Sequence, residues 1–223
     1  MRLLQTILDL LFPHKCPFCG KIQDTADICP KCKEKLPWID GAEALREGPG
    51  GLRCAGVVWY EDTVRDALLR LKFGGASDLA EPLGGLVAQC AAERFGGEFD
   101  TVTWVPISRK RLRKRGYDQA ELLARSACRL WDTKPVRLLN KTTDNPAQSG
   151  IHDAAARRAN VLGVYEATGE VAGKRVLLID DICTTGATLT ECIRVLEEAG
   201  AVQVVCAAAA LKRQRNVHKS ATE

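Results

Sequence analysis

A chain of 223 residues, 46% hydrophobic and 27% charged, has ordinary globular composition and room for one full domain plus a small module. That composition excludes a disordered polymer. No apolar stretch reaches the ~18 residues a bilayer-crossing helix needs, so no membrane span is expected. The net charge of +4 names no partner by itself.

The opening MRLLQTILDLLFPHK carries an acid and lacks a small-residue cleavage site. It reads as a short amphipathic helix (Leu3, Leu4, Ile7, Leu8, Leu11) that packs on its own protein rather than as a signal peptide. Of the ten cysteines, four fall between residues 16 and 32 and the others are scattered through apolar surroundings. That distribution is unlike a secreted disulfide framework, and a cytoplasmic location is expected.

In CPFCGKIQDTADICPKC, Cys16, Cys19, Cys29 and Cys32 form two C-x-x-C pairs nine residues apart. Each pair can put two sulfurs on one metal, and the link returns the second pair to complete a tetrahedron. Two redox pairs are the alternative, but a thioredoxin-like motif needs a βαβ context absent here. The expectation is structural Zn²⁺, since four thiolates leave no open position for water.

Gly, Pro and charge in PWIDGAEALREGPGGLR mark a connecting segment, with the linker placed at residues 41–53. The plan is then a helix and zinc module over 1–40, a main domain over 54–212, and a polar tail over 213–223. In the main domain RCAGVVWY predicts a strand, DTVRDALLRLKF a helix, and DLAEPLGGLVAQCAAERF a second helix weakened by Pro82 and two glycines. DTVTWVPI is a strand entering a proline turn, and DQAELLARSACRLW a helix with Ala120, Leu123, Ala124, Ala127 and Trp131 on one face. VRLL and VLGVYEA are short strands, KRVLLI a buried strand, TLTECIRVLEEAG a helix ended by Gly200, and AVQVVCAAAAL a further buried strand. Alternating elements of this kind make an α/β fold, a largely parallel sheet flanked by helices.

Between the last buried strands lies VLLIDDICTTGATL, residues 176–189. In parallel sheets ligands bind at the carboxyl ends of the strands. Asp180 and Asp181 stand at that edge, and Thr184, Thr185, Gly186 and Thr188 lead into a helix N-terminus whose free N–H groups favour a phosphate. Helix capping needs one such residue, not two acids and three threonines. Hydroxyl acceptors beside an anion cradle suit a phosphorylated sugar. Cys183, inside the loop, reads as small filler rather than as a reactive thiol near a helix N-terminus, and His14, His152 and His218 follow no ligand or base pattern.

The stretch resembles the phosphoribosyl diphosphate signature of type I phosphoribosyltransferases. The resemblance implies that Asp180 and Asp181 contact the ribose hydroxyls and that Thr184, Thr185, Gly186, Ala187 and Thr188 hold the 5-phosphate. It implies Mg²⁺ bound with phosphoribosyl diphosphate. The run RKRLRKR, residues 109–115, puts six cations in seven positions without an acid. By itself it is a solvated face, a nucleic-acid patch or a diphosphate clamp; Arg115 and Gly116 are the expected direct contacts.

An ordered set of motifs narrows the resemblance. The four-cysteine module is followed by Tyr60-x₁₁-Lys72-Phe73, Val105-Pro106 and Arg115-Gly116-Tyr117-Asp118-Gln119-Ala120. Then come Gln148-x₈-Arg157-x₂-Asn160-Val161 and the 180–188 loop. Together they are similar to the ComF (competence protein F) family, which adds Lys72, Gln148 and Arg157 to the expected ligand contacts. The chain departs from that family with TWVP for V-P-V-P, and with Asp118 where asparagine is usual. Two functions follow: phosphoribosyl transfer with release of diphosphate, or a non-catalytic competence factor binding a ligand or single-stranded DNA. Only Tyr117 lies near the basic run, and aromatic residues are 5% of the chain, a thin basis for stacking bases.

Overall fold

The computed structural model describes residues 14–25, 27–144 and 161–214. The amphipathic helix expected over the first residues, and Gln148, Arg157 and Asn160, lie outside them. Five strands form the main sheet: β1 (Leu45–Gly48), β2 (Leu52–Trp59), β3 (Thr101–Trp104), β6 (Arg175–Cys183) and β7 (Gln203–Leu211). Their order is β1-β2-β7-β6-β3, parallel except for the antiparallel edge pair β1–β2. A separate antiparallel pair joins β4 (Leu139–Lys141) to β5 (Tyr165–Ala167).

The helices are α1 (Pro30–Lys35), α2 (Asp62–Phe73), α3 (Ala80–Phe95), α4 (Arg109–Arg115), α5 (Gln119–Leu130) and α6 (Ala187–Glu198). Leu177 and Ile179 of β6 face the core made with α2, α3 and α5, whereas Val176 and Leu178 face the core made with α6 and the β4–β5 pair. Both faces are buried, which is why β6 and β7 read as continuous apolar runs.

Pro82 does not weaken α3, because it sits in the first turn, where an amide N–H has no helical partner. Gly84 is there for packing. A Cβ on it would stand 2.4 Å from Ser126 Cβ and 2.7 Å from the Leu123 carbonyl of α5. Gly84→Ala is therefore expected to cost ~2 kcal/mol, read as a lower denaturant midpoint at unchanged m-value.

The linker expectation changes as well. The segment expected as a linker, 41–53, holds a 3₁₀ turn (Gly41–Ala44) and strand β1, which adds to the sheet edge. The basic run 109–115, to which the sequence pattern assigned no element, is helix α4, opened by the Ser108 hydroxyl accepting from Arg111 N and closed by Gly116 at φ +85°. Asp144, 3.6 Å from Lys110 Nζ and 3.4 Å from Arg111 Nε, offsets part of the charge repulsion along so short a helix.

Candidate functional site

The four cysteines of the amino-terminal module converge, all four sulfurs lying within 4.8 Å of one another. Cys19 Sγ and Cys29 Sγ are 3.7 Å apart. A tetrahedral ZnS₄ centre with bonds of ~2.3 Å needs edges of about 3.8 Å, so the donor set fits Zn²⁺. Burial opposes ionisation of Cys16, but backbone N–H groups of Cys19, Cys29 and Phe18 outweigh it and lower its pKa to about 6, which favours the thiolate a metal requires.

The module is not a loose appendage. Cys16, Phe18, Ile28 and Leu36 are buried in the same core as Val64, Leu68 and Leu71 of α2. Arg70 of α2 donates to the carbonyls of Pro17 (2.6 Å) and Phe18 (3.1 Å), inside the first C-x-x-C turn.

At the carboxyl edge of the sheet the two adjacent acids stay close to each other but reach different neighbours. Asp181 turns toward α2, where Lys72 Nζ lies 2.8 Å from its Oδ2. That oxygen accepts no aligned hydrogen bond, so the contact is an ion pair alone. Asp180 turns toward α6, where its charge acts on buried Cys192 and Cys206. Burial, then repulsion from Asp181, pushes the Asp180 carboxyl well above the usual range. Burial opposes the charge on Lys72, yet Asp181 outweighs it and the lysine pKa rises.

The ladder itself is irregular here. It skips Val57, Ala209 and Asp181 in line across three strands. Consecutive Val57 and Val58, and Ala209 and Ala210, then face the same side. Such a break re-aims side chains at a sheet edge.

Beyond Cys183 the chain turns through Thr184 and Thr185 to Gly186, at φ +81°, which starts α6. A Cβ on Gly186 would lie 2.3 Å from Leu52 Cδ2, so the turn needs glycine for both its dihedral and its space. Asp180, Cys183, Thr184, Gly186, Ala187 and Thr188 line a hollow at this N-terminus.

Arg115 and Lys72 meet over the same edge through a cross-docked pair of motifs. The Arg115 guanidinium stacks on Phe73 at 5.2 Å and bonds the Gln119 side chain, while Tyr117 Oη donates to the Leu71 carbonyl at 2.6 Å. Burial lowers the Arg115 pKa, with Asp181 opposing. Asp118 is a structural cap. Its Oδ1 accepts from Ala120 N (3.1 Å) and Glu121 N, and its Oδ2 from Ile107 N (2.9 Å). Burial still raises its pKa to about 6 despite those bonds.

Reasoning on sequence missed Lys141 and Arg46. Lys141 Nζ of β4 stands 5.2 Å over the Tyr165 ring, and burial, reinforced by Arg111 and opposed by Asp180, lowers its pKa to about 8. A lone lysine in a three-residue strand carries no readable signal. Arg46 was hidden in the supposed linker.

A parallel sheet bearing an acidic pair, a T-T-G-A-T turn and a helix N-terminus at one edge defines a phosphoribosyltransferase-type protein with an added four-cysteine zinc module. The phosphoribosyl transferase domain model matches residues 112–223 and the double zinc ribbon domain model residues 7–44; the chain belongs to the phosphoribosyl transferase domain family. It is 28% identical to competence protein ComFC of Bacillus subtilis over 84% of this chain and 73% of that protein. It is 27% identical to the DNA utilization protein YhgH of Escherichia coli K12, over 86% and 88% respectively. The ComF resemblance drawn from the ordered motifs is borne out by these relatives. Phosphoribosylpyrophosphate synthetase from Mycobacterium smegmatis is a structural neighbour at 20% identity and TM-score 0.35, over 58% of this chain and 33% of that one. Among the described residues no helix is long and apolar enough to cross a membrane.

Proposed function

We propose that the chain binds phosphoribosyl diphosphate with Mg²⁺ at the Asp180–Thr188 edge and transfers the phosphoribosyl group to an acceptor. The observation that carries this reading is the placement of two buried carboxylates directly beside a glycine-started helix N-terminus, with Lys72 and Arg115 over them. Asp180 and Asp181 hold the ribose hydroxyls. Thr184, Thr185, Gly186, Ala187 and Thr188 hold the 5-phosphate, and Lys72, Arg115 and Gly116 take the diphosphate.

The acceptor forms its bond to the anomeric carbon as the bond to diphosphate breaks, and the electron pair leaves with the diphosphate. No protein nucleophile is needed. The chain's part is to orient the sugar and to offset the charge that develops. Buried Asp180 and Asp181 would be the carboxylates that face Mg²⁺ there, Asp181 already carrying the Lys72 ion pair. Bound Mg²⁺ supplies charge neutralisation at the leaving diphosphate. Gln148 and Arg157, in the segment between β4 and β5, are further proposed contacts.

Isothermal titration of Mg²⁺ and phosphoribosyl diphosphate into the zinc-loaded protein tests the reading. Saturable binding, lost in the Asp180→Asn/Asp181→Asn variant, is the expected result; unchanged binding in that variant sinks it.

A second reading draws on α4. Arg109, Lys110, Arg113 and Lys114 are exposed on one short helix beside the site, and relatives carry competence and DNA utilization names. Single-stranded DNA bound there should weaken steeply with salt, with a log–log slope near −0.7 per phosphate contacted. Such binding without diphosphate release by any acceptor would favour a non-catalytic role.

A further inference from the structure

Arg46 is 8% exposed on the edge strand β1, yet it has no carboxylate partner among the described residues. Its guanidinium donates to main-chain carbonyls instead: Cys183 O (3.0 Å), Thr184 O (2.6 Å) and Lys212 O. Cys183 ends β6 and Thr184 opens the turn that leads from it to α6. Every peptide bond described is trans, and in a trans unit the C=O and the following N–H point in opposite directions. Drawing the carbonyls of Cys183 and Thr184 toward Arg46 therefore directs the N–H groups of Thr184 and Thr185 the other way. Neither N–H donates to a protein acceptor among the described residues. Arg46 does not line the hollow that Thr184, Gly186, Ala187 and Thr188 surround.

The remaining contact of Arg46 is with Cys183 Sγ at 3.9 Å, so among the described residues no carboxylate offsets the buried guanidinium charge. At low local dielectric such a charge acts strongly over short distances. We propose that Arg46 is a positioning residue for the phosphate end of the site. It sets the amide groups of the turn toward the anion from behind and adds a positive charge beneath it. The proposal rests on the reading of this turn as a phosphate cradle. It assigns a ligand-tuning role to the segment between the zinc module and the main domain.

The test compares wild type, Arg46→Gln and Arg46→Lys in titrations with ribose 5-phosphate and with inorganic diphosphate plus Mg²⁺. Ribose 5-phosphate reports on the turn; diphosphate reports on Lys72 and Arg115. Arg46→Gln should weaken ribose 5-phosphate at least tenfold and leave diphosphate within twofold. Arg46→Lys, which keeps the charge but offers no planar fork, should recover part of the loss and keeps the comparison available if the glutamine variant folds poorly. Equal weakening of both probes would mean a general structural role and would overturn the proposal, as would unchanged ribose 5-phosphate affinity in both variants. A wild type that binds neither probe would instead overturn the cradle itself, and Arg46 with it.

Discussion

Asp180→Asn should make the protein more stable at neutral pH while abolishing binding of phosphoribosyl diphosphate. Asp180 is buried at the carboxyl edge of β6, and burial followed by repulsion from Asp181 raises its carboxyl pKa well above the unfolded value. The native state therefore holds this proton more tightly than the unfolded chain. The stability contributed by that preference is fully present below about pH 4, the unfolded carboxyl range, and is lost as pH rises toward the folded pKa. Asparagine escapes that loss and still offers an oxygen to the Asp181 N–H, which Asp180 Oδ1 accepts at 2.8 Å.

A gain of ~1–2 kcal/mol at pH 7.5 is expected, typical of relieving a strained functional site. For a chain of this size it is a rise of roughly 2–8 °C in thermal midpoint. The gain should shrink on acidification and vanish near pH 4. Thermal melts of both proteins from pH 4 to 8 check this. A variant less stable than wild type at pH 7.5, or a difference independent of pH, would show that Asp180 is a structural acid and not one held for a ligand.

Zinc removal should weaken ligand binding as well as the fold. The route runs through α2. Phe18, Ile28 and Leu36 of the module share a core with Leu68 and Leu71, and Arg70 grips the carbonyls of Pro17 and Phe18. Two residues on, Lys72 meets Asp181, and the Leu71 carbonyl receives the Tyr117 hydroxyl. Releasing the cysteines exposes apolar side chains worth ~1.5–3 kcal/mol each and frees the end of α2 that carries Lys72. A strong chelator at pH 7 is expected to lower the thermal midpoint by about 10 °C. It should also weaken phosphoribosyl diphosphate binding at least tenfold, with recovery when Zn²⁺ is restored. Arg70→Ala, with zinc retained, should reproduce part of the loss in affinity at a smaller cost in midpoint. Full affinity after chelation would separate the module from the site.

The chemistry of the candidate site was legible in the sequence because it is local. An apolar run ending in Asp180-Asp181, followed by Thr184-Thr185-Gly186-Ala187-Thr188, determines a strand, a turn and a helix start within a dozen residues. Backbone preferences and a left-handed glycine act at that range. The C-x-x-C pairs are local in the same sense, since each closes on a metal through its own short loop. The strong helical periodicities of 62–73 and 119–130 likewise fixed α2 and α5 close to their ends.

Tertiary structure decided which charges face one another. Asp180 and Asp181 are adjacent in the chain, but only the fold gives Asp181 the Lys72 ammonium and sets Asp180 in the hollow at the start of α6. Lys72 meets Asp181 because α2 brings its last turn to that edge, and the sequence shows only a lysine at the end of an amphipathic helix. Arg46 was the most hidden, because β1 is four residues long among glycines, too short for a period to show. The carbonyls it binds lie 137 and 138 positions further along the chain. A buried arginine without an acid looks unfavourable until the fold supplies three carbonyl oxygens, and closing that contact depends on the order of strands in the sheet, which no local pattern encodes.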